Sequence, residues 1–440
     1  MAYRRRDLLR SVGAVGAGGL ALGAGGATAT AGGEEGSPTA ATRESYDGEG
    51  SGDYPPAQPP RGEPRPYEEY AIRRVPDDYD TIQAAVDDAD TEDLVLVGPG
   101  VYEEAVEVRE TPRLTIRGTD RNEVILDGGF EREDAIFVTA DDVVLENLTA
   151  RHYTRNGFFW TGVAGYRGSY LTAYNNRLYG VYAFDSVHGT FERSYASGHT
   201  DSGFYVGQCS PCHAIVEKVR SENNAIGYSG TNSGGYLTIK DSVWRHNMGG
   251  IVPNSLDTEA DPPQDAARIE NNLVESNHNA DAPDHSFGYA AFGTGINVAG
   301  GRDDQIVGNT VRDHANFGIV LVPMIDQNVY RPTNNLVRGN AVSGSGRADL
   351  ALGSPQGGGN DFLDNDVESA RPASLAGGAS LLGGDPWVTL VLLEQFLQLE
   401  SGGAPRGDWR TQPEPPFGEL EGMPNPTSTP PREAIRGRSR

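Results

Sequence analysis

Cysteine and lysine are nearly missing from this 440-residue chain. Its two cysteines, Cys209 and Cys212, are too few to staple a fold of this length, so apolar burial must hold it together. Lysine occurs only as Lys218 and Lys240, and every other cation is arginine. Lys+Arg reaches 36 against 62 Asp+Glu, a net charge of −26. Such a surface repels nucleic acid and anionic lipid and argues against both as partners. Long apolar runs are missing too. A membrane span needs about 20 strongly apolar residues, so no stable span is expected once an N-terminal signal is removed.

High acidity with so little lysine resembles the composition of proteins from halophilic archaea, whose carboxylates keep a surface hydrated in concentrated salt. The N-terminus runs Arg4, Arg5, Arg6, Asp7, Leu8, Leu9, Arg10, then a Gly/Ala-rich stretch, then Ala29, Thr30, Ala31. This resembles a twin-arginine export signal with a small-x-small cleavage site. It implies an extracellular or cell-surface address. Residues 32–66 are rich in Gly, Glu, Pro, Ser and Thr and read as a disordered linker.

Beyond the linker, Ile82, Ala85, Val86 and Ala89 share one helical face, and a short amphipathic helix is expected to plug the first end of the fold. A small residue before an apolar strand then recurs at Gly157, Gly180, Gly203, Ala225, Gly250, Gly295 and Gly318, with spacings of 23, 23, 22, 25, 45 and 23. A fixed period near 23, with several short strands in each, indicates a solenoid whose coils bury their inward residues against one another. The 45-residue interval is one coil with insertions near 253–265 and 279–292. Asp385 and Pro386 open a helix of apolar residues, Trp387 to Leu399, expected to cap the far end.

The stretches Thr81-Ile82-Gln83-Ala84-Ala85-Val86, Gly98-Pro99-Gly100-Val101-Tyr102 and Ile125-Leu126-Asp127-Gly128 resemble the opening of right-handed parallel β-helix repeat proteins of the pectin-lyase-like superfamily. The repeats carry the likeness to about Glu368. It implies an all-β solenoid with short helical caps. Together with the readings above, the expected organisation is residues 1–31 as signal, 32–66 as linker, 67–372 as β-helix, 373–400 as a C-terminal cap helix and 401–440 as a Pro-rich tail. The superfamily includes polysaccharide lyases, hydrolases, uronate epimerases, copper-accessory proteins and surface proteins without chemistry, so the resemblance leaves activity open.

Cys209-Ser210-Pro211-Cys212-His213 has the spacing that attaches c-type haem. At a turn between coils it reads as a disulfide-closed turn, with haem, a metal or a free dithiol as alternatives. Four positions before the small anchor stand Asn176, His199, Ser221, His246 and His314. With Asp201 and Arg245 this column supplies the candidate catalytic residues: His199, Asp201, Arg245, His246 and His314 as acids and bases, or as copper or zinc ligands. A turn ladder that bonds only to itself is the alternative. Arg155 and Arg312 are further candidates for the arginine base that the resemblance implies for a lyase. In the second insertion Asp284, His285, Phe287 and Tyr289 are candidate substrate-binding residues, and Asp281 with Asp284 could hold Ca²⁺ against an acidic sugar. The family's epimerases carry an Asp-Pro-His-(Asp/Glu) string that Pro283-Asp284-His285-Ser286 does not match. Asn147-Leu148-Thr149 spells a glycosylation acceptor inside an expected strand and turn. The function expected is binding or modification of extracellular polysaccharide, against a metal-handling accessory protein or a non-catalytic surface module.

Overall fold

The computed structural model describes residues 71–285, 287–377 and 383–427. The expected signal, the linker and the end of the tail lie outside them. The described chain winds through three long parallel sheets. Sheet A has 12 strands, from Ile72–Val75 to Asp361–Leu363; sheet B has 11, from Gly100–Tyr102 to Asp366–Val367; sheet C has 11, from Val106–Val108 to Ala370–Arg371. Each coil passes A, then B, then C, and each strand pairs with its equivalents in the coils before and after. Crossovers between parallel strands wind right-handed, and coils stack about 4.8 Å apart. This is a right-handed parallel β-helix.

The core is one continuous cluster of inward residues from all three sheets, including Phe158, Trp160, Phe204, Trp244, Ile251 and Ile319. The recurring glycine has a steric cause. A Cβ on Gly157, Gly180, Gly227, Gly250 or Gly295 would meet the carbonyl oxygen of the glycine one coil on, 2.2–2.8 Å away. The anchor between Gly203 and Gly250 is therefore Gly227, on the strand that pairs with that of Gly203, and not Ala225.

Two ladders of buried amides close the interior at the turns. At the A-to-B turn, Asn272, Asn309, Asn340 and Asn365 stack coil upon coil; Asn309, Asn340 and Asn365 each accept the backbone N–H and side-chain NH₂ of the asparagine one coil earlier. At the B-to-C turn the ladder is Asn176, His199, Asn224, Asn247, Asn277 and His314. Buried polar groups are tolerable only when paired, and stacking identical amides supplies each with a partner.

The helix α1 (Ile82–Asp87) buries Ile82, Ala85 and Val86 in the core at the first coil, with Thr81 as its N-cap. The helix α2 (Pro386–Glu400) starts where expected, with Asp385 Oδ1 accepting from Trp387 N at 2.9 Å. It does not cap the solenoid's end, which is a correction. Val388, Val391 and Leu392 pack on the outside of sheet C, against Phe317, Val320, Ala348 and Ala351. The last coil is covered instead by Leu375 in a 3₁₀ turn, Ala373–Gly377. Cys209 and Cys212 form a buried disulfide, so neither thiol is free to attach haem. Asn147 is buried and donates to Gly118 O at 2.7 Å, which leaves no room for a glycan.

Candidate functional site

Much of the solenoid's outer surface pairs with itself. On sheet A, Arg117, Glu146, Arg167 and Glu192 alternate along the axis at 2.5, 3.2 and 2.5 Å. On sheet B, Glu222, Arg245, Glu275 and Arg312 do the same, and Arg220 joins Glu222 from two residues before it on the same strand. Sheet C differs. Its outward row runs Phe137, Phe159, Tyr182, Tyr205, Ser229 and Val252 in register. The first four rings form a ladder: Phe137–Phe159 centroids lie 5.3 Å apart, Phe159–Tyr182 stack at 4.4 Å, and Tyr182–Tyr205 meet edge-on at 4.9 Å. Tyr179 stacks on Tyr182 at 4.2 Å from the side.

The later coils of sheet C are covered. Ala291 of the second insertion packs on Ile226 and Val252, and α2 covers coils further on. The early coils are open. There an open cleft of about 370 Å³ is lined by Glu107, Arg109, Glu133, Asp134, Arg155, Phe137 and Phe159. Its carboxyl groups are tuned apart. Burial, the largest influence, pushes the Asp134 carboxyl above its usual range, against the pull of the Arg155 charge and two hydrogen bonds from Asn156. Glu107 accepts from Arg109 Nε at 2.7 Å, which holds it below the usual range and ionised. Two carboxyl groups of the cleft are thus shifted in opposite directions, Asp134 up and Glu107 down, the kind of separation by environment that acid–base chemistry uses. Asp201 lies on the same flank as Arg155, two coils on, and accepts from Tyr179 OH at 2.9 Å.

The structure scatters the histidine column. His199 and His314 are fully buried rungs of the B-to-C ladder. Both ring nitrogens of His199 face carbonyl oxygens, of Asn176 at 3.1 Å and Ala173 at 3.2 Å. Burial pushes both imidazoles down to about 4, so they stay neutral and meet no substrate. His246 is exposed with φ of 56°, one residue before the true rung Asn247. Ser221 lies inside, bonded to Gly227 O. Arg245 and Arg312 belong to the sheet B ion-pair row, on another face from the cleft. Only Arg155 and Asp201 of the expected set border the sheet C surface.

The second insertion is also corrected. Asp284 is buried, and its two oxygens accept from Gly288 N and Tyr289 N at 3.1 and 3.0 Å, at the start of a 3₁₀ turn. Both oxygens thus hold the backbone of the turn. Phe287 stacks toward Phe396 of α2, and Tyr289 OH bonds Gln398. These rings fasten the insertion to the helix. His285 is exposed at the edge and donates its backbone N–H to Thr200 O. Among the described residues no three His, Cys, Asp or Glu side chains converge as a metal site. Glu107 and Asp134 were not anticipated from sequence. Their signal was register: both belong to strands that align with the aromatic row, on coils too irregular for the repeat spacing to reach.

No protein-family model and no curated protein matches the chain. Among solved structures, 43 chains match. The A-module of a mannuronan C-5 epimerase from Azotobacter vinelandii aligns over 69% of this chain and 92% of its own, at 17% identity and a TM-score of 0.49. An endo-xylogalacturonan hydrolase from Aspergillus tubingensis aligns over 69% of this chain and 94% of its own, at 12% identity and a TM-score of 0.48. At such identities the likeness concerns the winding of the chain and transfers no site residue. What the strand order itself establishes is the architecture: a three-sheet, right-handed parallel β-helix.

Proposed function

We propose that this protein binds or modifies an extended polysaccharide along the outer face of sheet C. One observation carries the reading: a ladder of aromatic rings, with Phe137 and Tyr182 partly exposed on either side of the buried Phe159, ends in a cleft with tuned carboxyl groups. The exposed parts of these rings give a sugar polymer apolar contacts at strand spacing, and a few placed polar groups fix its orientation. In the catalytic form of the proposal Asp134 gives a proton to the leaving oxygen, and Glu107 supplies the ionised carboxylate of a glycosidase pair. Arg155 would serve as base in a lyase. The proposal includes export by the twin-arginine route, on the strength of Arg5, Arg6 and the residues after them.

The test is incubation of the full chain in concentrated salt with neutral and uronate-containing polymers, reading bound polymer, product size and unsaturated-uronate absorbance. Phe137→Ala with Tyr182→Ala is expected to weaken polymer binding at least about tenfold, roughly 1.4 kcal/mol, with the fold retained because both rings are partly exposed. Asp134→Asn is expected to keep binding and abolish shortening of the polymer. Binding without turnover in the unmodified chain would leave a binding module. No binding to any polymer would refute the proposal.

A further inference from the structure

The segment 404–427 lies back on the solenoid, across the outside of sheet B. Gly407 pairs with Pro283 on the second insertion. Trp409 meets Phe130 edge-on at 5.4 Å, Gln412 O accepts from Asn175, and Phe417 meets Tyr174 at 6.0 Å. Glu419 then pairs with Arg220 at 2.8 Å, and Glu421 takes Arg193 Nη1 through both oxygens, at 2.9 and 2.7 Å. Six prolines limit regular structure in the strap to two short 3₁₀ turns, Trp409–Thr411 and Phe417–Glu419.

The surface beneath its acidic end is unusual for this chain. Arg193, Lys218 and Arg220 gather on adjacent coils at the A-to-B corner. Lys218 is exposed and makes no ion pair among the described residues. The Arg193 guanidinium lies 5.7 Å over the Tyr170 ring, and that of Arg220 lies 5.7 Å over Tyr195. The corner thus repeats a cation on a tyrosine face, coil after coil, in a molecule with a net charge of −26. The strap that covers it presents carboxylates and rings from short 3₁₀ turns and the segments between them. Its carboxylates are 67% and 59% exposed, and ion pairs so exposed are weak and displaceable.

We infer that this corner is a second binding site, separate from sheet C, for a carboxylate-bearing polysaccharide, and that the strap occupies it in place of that ligand. A uronate polymer supplies what Glu419 and Glu421 supply, carboxylates on a chain with apolar faces, and it also reaches Lys218. The strap sets a threshold: the ligand binds only as far as it displaces Glu419 and Glu421. The inference does not rest on the sheet C reading.

The probe is polygalacturonate, with poly-glutamate and a neutral polymer as controls, at the lowest salt in which the chain stays folded, since screening weakens such contacts. Glu419→Gln with Glu421→Gln is expected to raise polygalacturonate affinity at least about tenfold and leave neutral-polymer binding unchanged. Adding Arg193→Gln, Lys218→Gln and Arg220→Gln should cancel the gain. Phe137→Ala with Tyr182→Ala should not touch it, so failure of this site and failure of the sheet C site read differently. In the unmodified chain, hydrogen exchange across 404–427 should speed up when polygalacturonate binds. No binding by the Glu variant, or a gain that survives loss of the three cations, overturns the site. Equal binding of poly-glutamate overturns the polysaccharide assignment. Exchange unchanged at saturation overturns displacement of the strap.

Discussion

The outer faces of sheets A and C are laid on the same coils, in the same register, and carry opposite surfaces. On sheet A each arginine meets a glutamate on the neighbouring coil, so Arg117, Glu146, Arg167 and Glu192 satisfy one another along the axis. On sheet C the same stacking places ring over ring, from Phe137 to Tyr205. A charge ladder is complete in itself. A ring ladder still has faces and edges that water solvates poorly, and the protein covers the outer face with α2 and Ala291 on the later coils only. The contrast teaches where to look in a solenoid: at the face whose repeat does not close on itself.

The comparison breaks most sharply if the interior, and not a face, is disturbed. Asn247 accepts from Asn224 N and Nδ2 and donates to Asn277 Oδ1 and Ser221 O. Asn247→Leu strands these buried groups at about 1–3 kcal/mol each. The expected loss is several kcal/mol, seen as a large fall in Tm and as weakened polymer binding on every face together. A variant that unfolds no earlier than the parent would show that the ladder contributes little.

That rung also shows where the sequence was legible. Period, strand placement, most of the glycine anchors, the N-terminal helix and the start of α2 come from local patterns, and the structure agrees with them. The histidine column does not. Asn176 and His199 stand four residues before their anchors Gly180 and Gly203, whereas Asn224 and Asn247 stand three before Gly227 and Gly250. A turn one residue shorter moves the inward position by one, so counting back four lands on the exposed His246. Sequence spacing cannot register such a slip, because outside and inside are one residue apart. Nor could it assign Phe287 and Tyr289, whose partners Phe396 and Gln398 lie about a hundred residues away.

A smaller effect separates the interior from both faces by pH. Asp304 is fully buried; its Oδ1 accepts from Gln264 and Ala267 N, and its Oδ2 has no partner among the described residues. Burial pushes its carboxyl up to about 8. The folded chain therefore binds this proton more tightly than the unfolded chain does. The stabilisation is fully present below the ordinary carboxylate range and is lost as pH rises through about 8. His199 and His314 act oppositely. Pushed down to about 4, they favour the fold fully above the ordinary imidazole value, and that contribution is lost as pH falls toward 4. Asp304→Asn, which matches the next rungs Asn335 and Asn360, should abolish the alkaline loss, raising stability at pH 9 by about 1–3 kcal/mol with little change at pH 6. A Tm that falls equally at both values would mean that the carboxylate is needed as such.

The smallest effect expected is the sharpest test of the comparison, because it removes a residue with every outward sign of a catalytic base. Arg245 is a partly exposed arginine on a regular strand, bonded to Glu222 at 2.5 Å and near Glu275 at 3.5 Å. In Arg245→Ala, Glu222 keeps Arg220 at 2.5 Å and Glu275 keeps Arg312 at 2.6 Å. Neither carboxylate is left without a cation, so the row closes over the gap. The change should lower stability by less than about 1 kcal/mol and leave polymer binding and turnover at parental levels. If activity vanished with Tm intact, a self-paired row would be a working site, and sheet B would take the place of sheet C. If instead stability fell severely, the row would be a cooperative network whose members cannot be spared singly, and the contrast between a closed charge ladder and an open ring ladder would have to be drawn from energy and not from pairing.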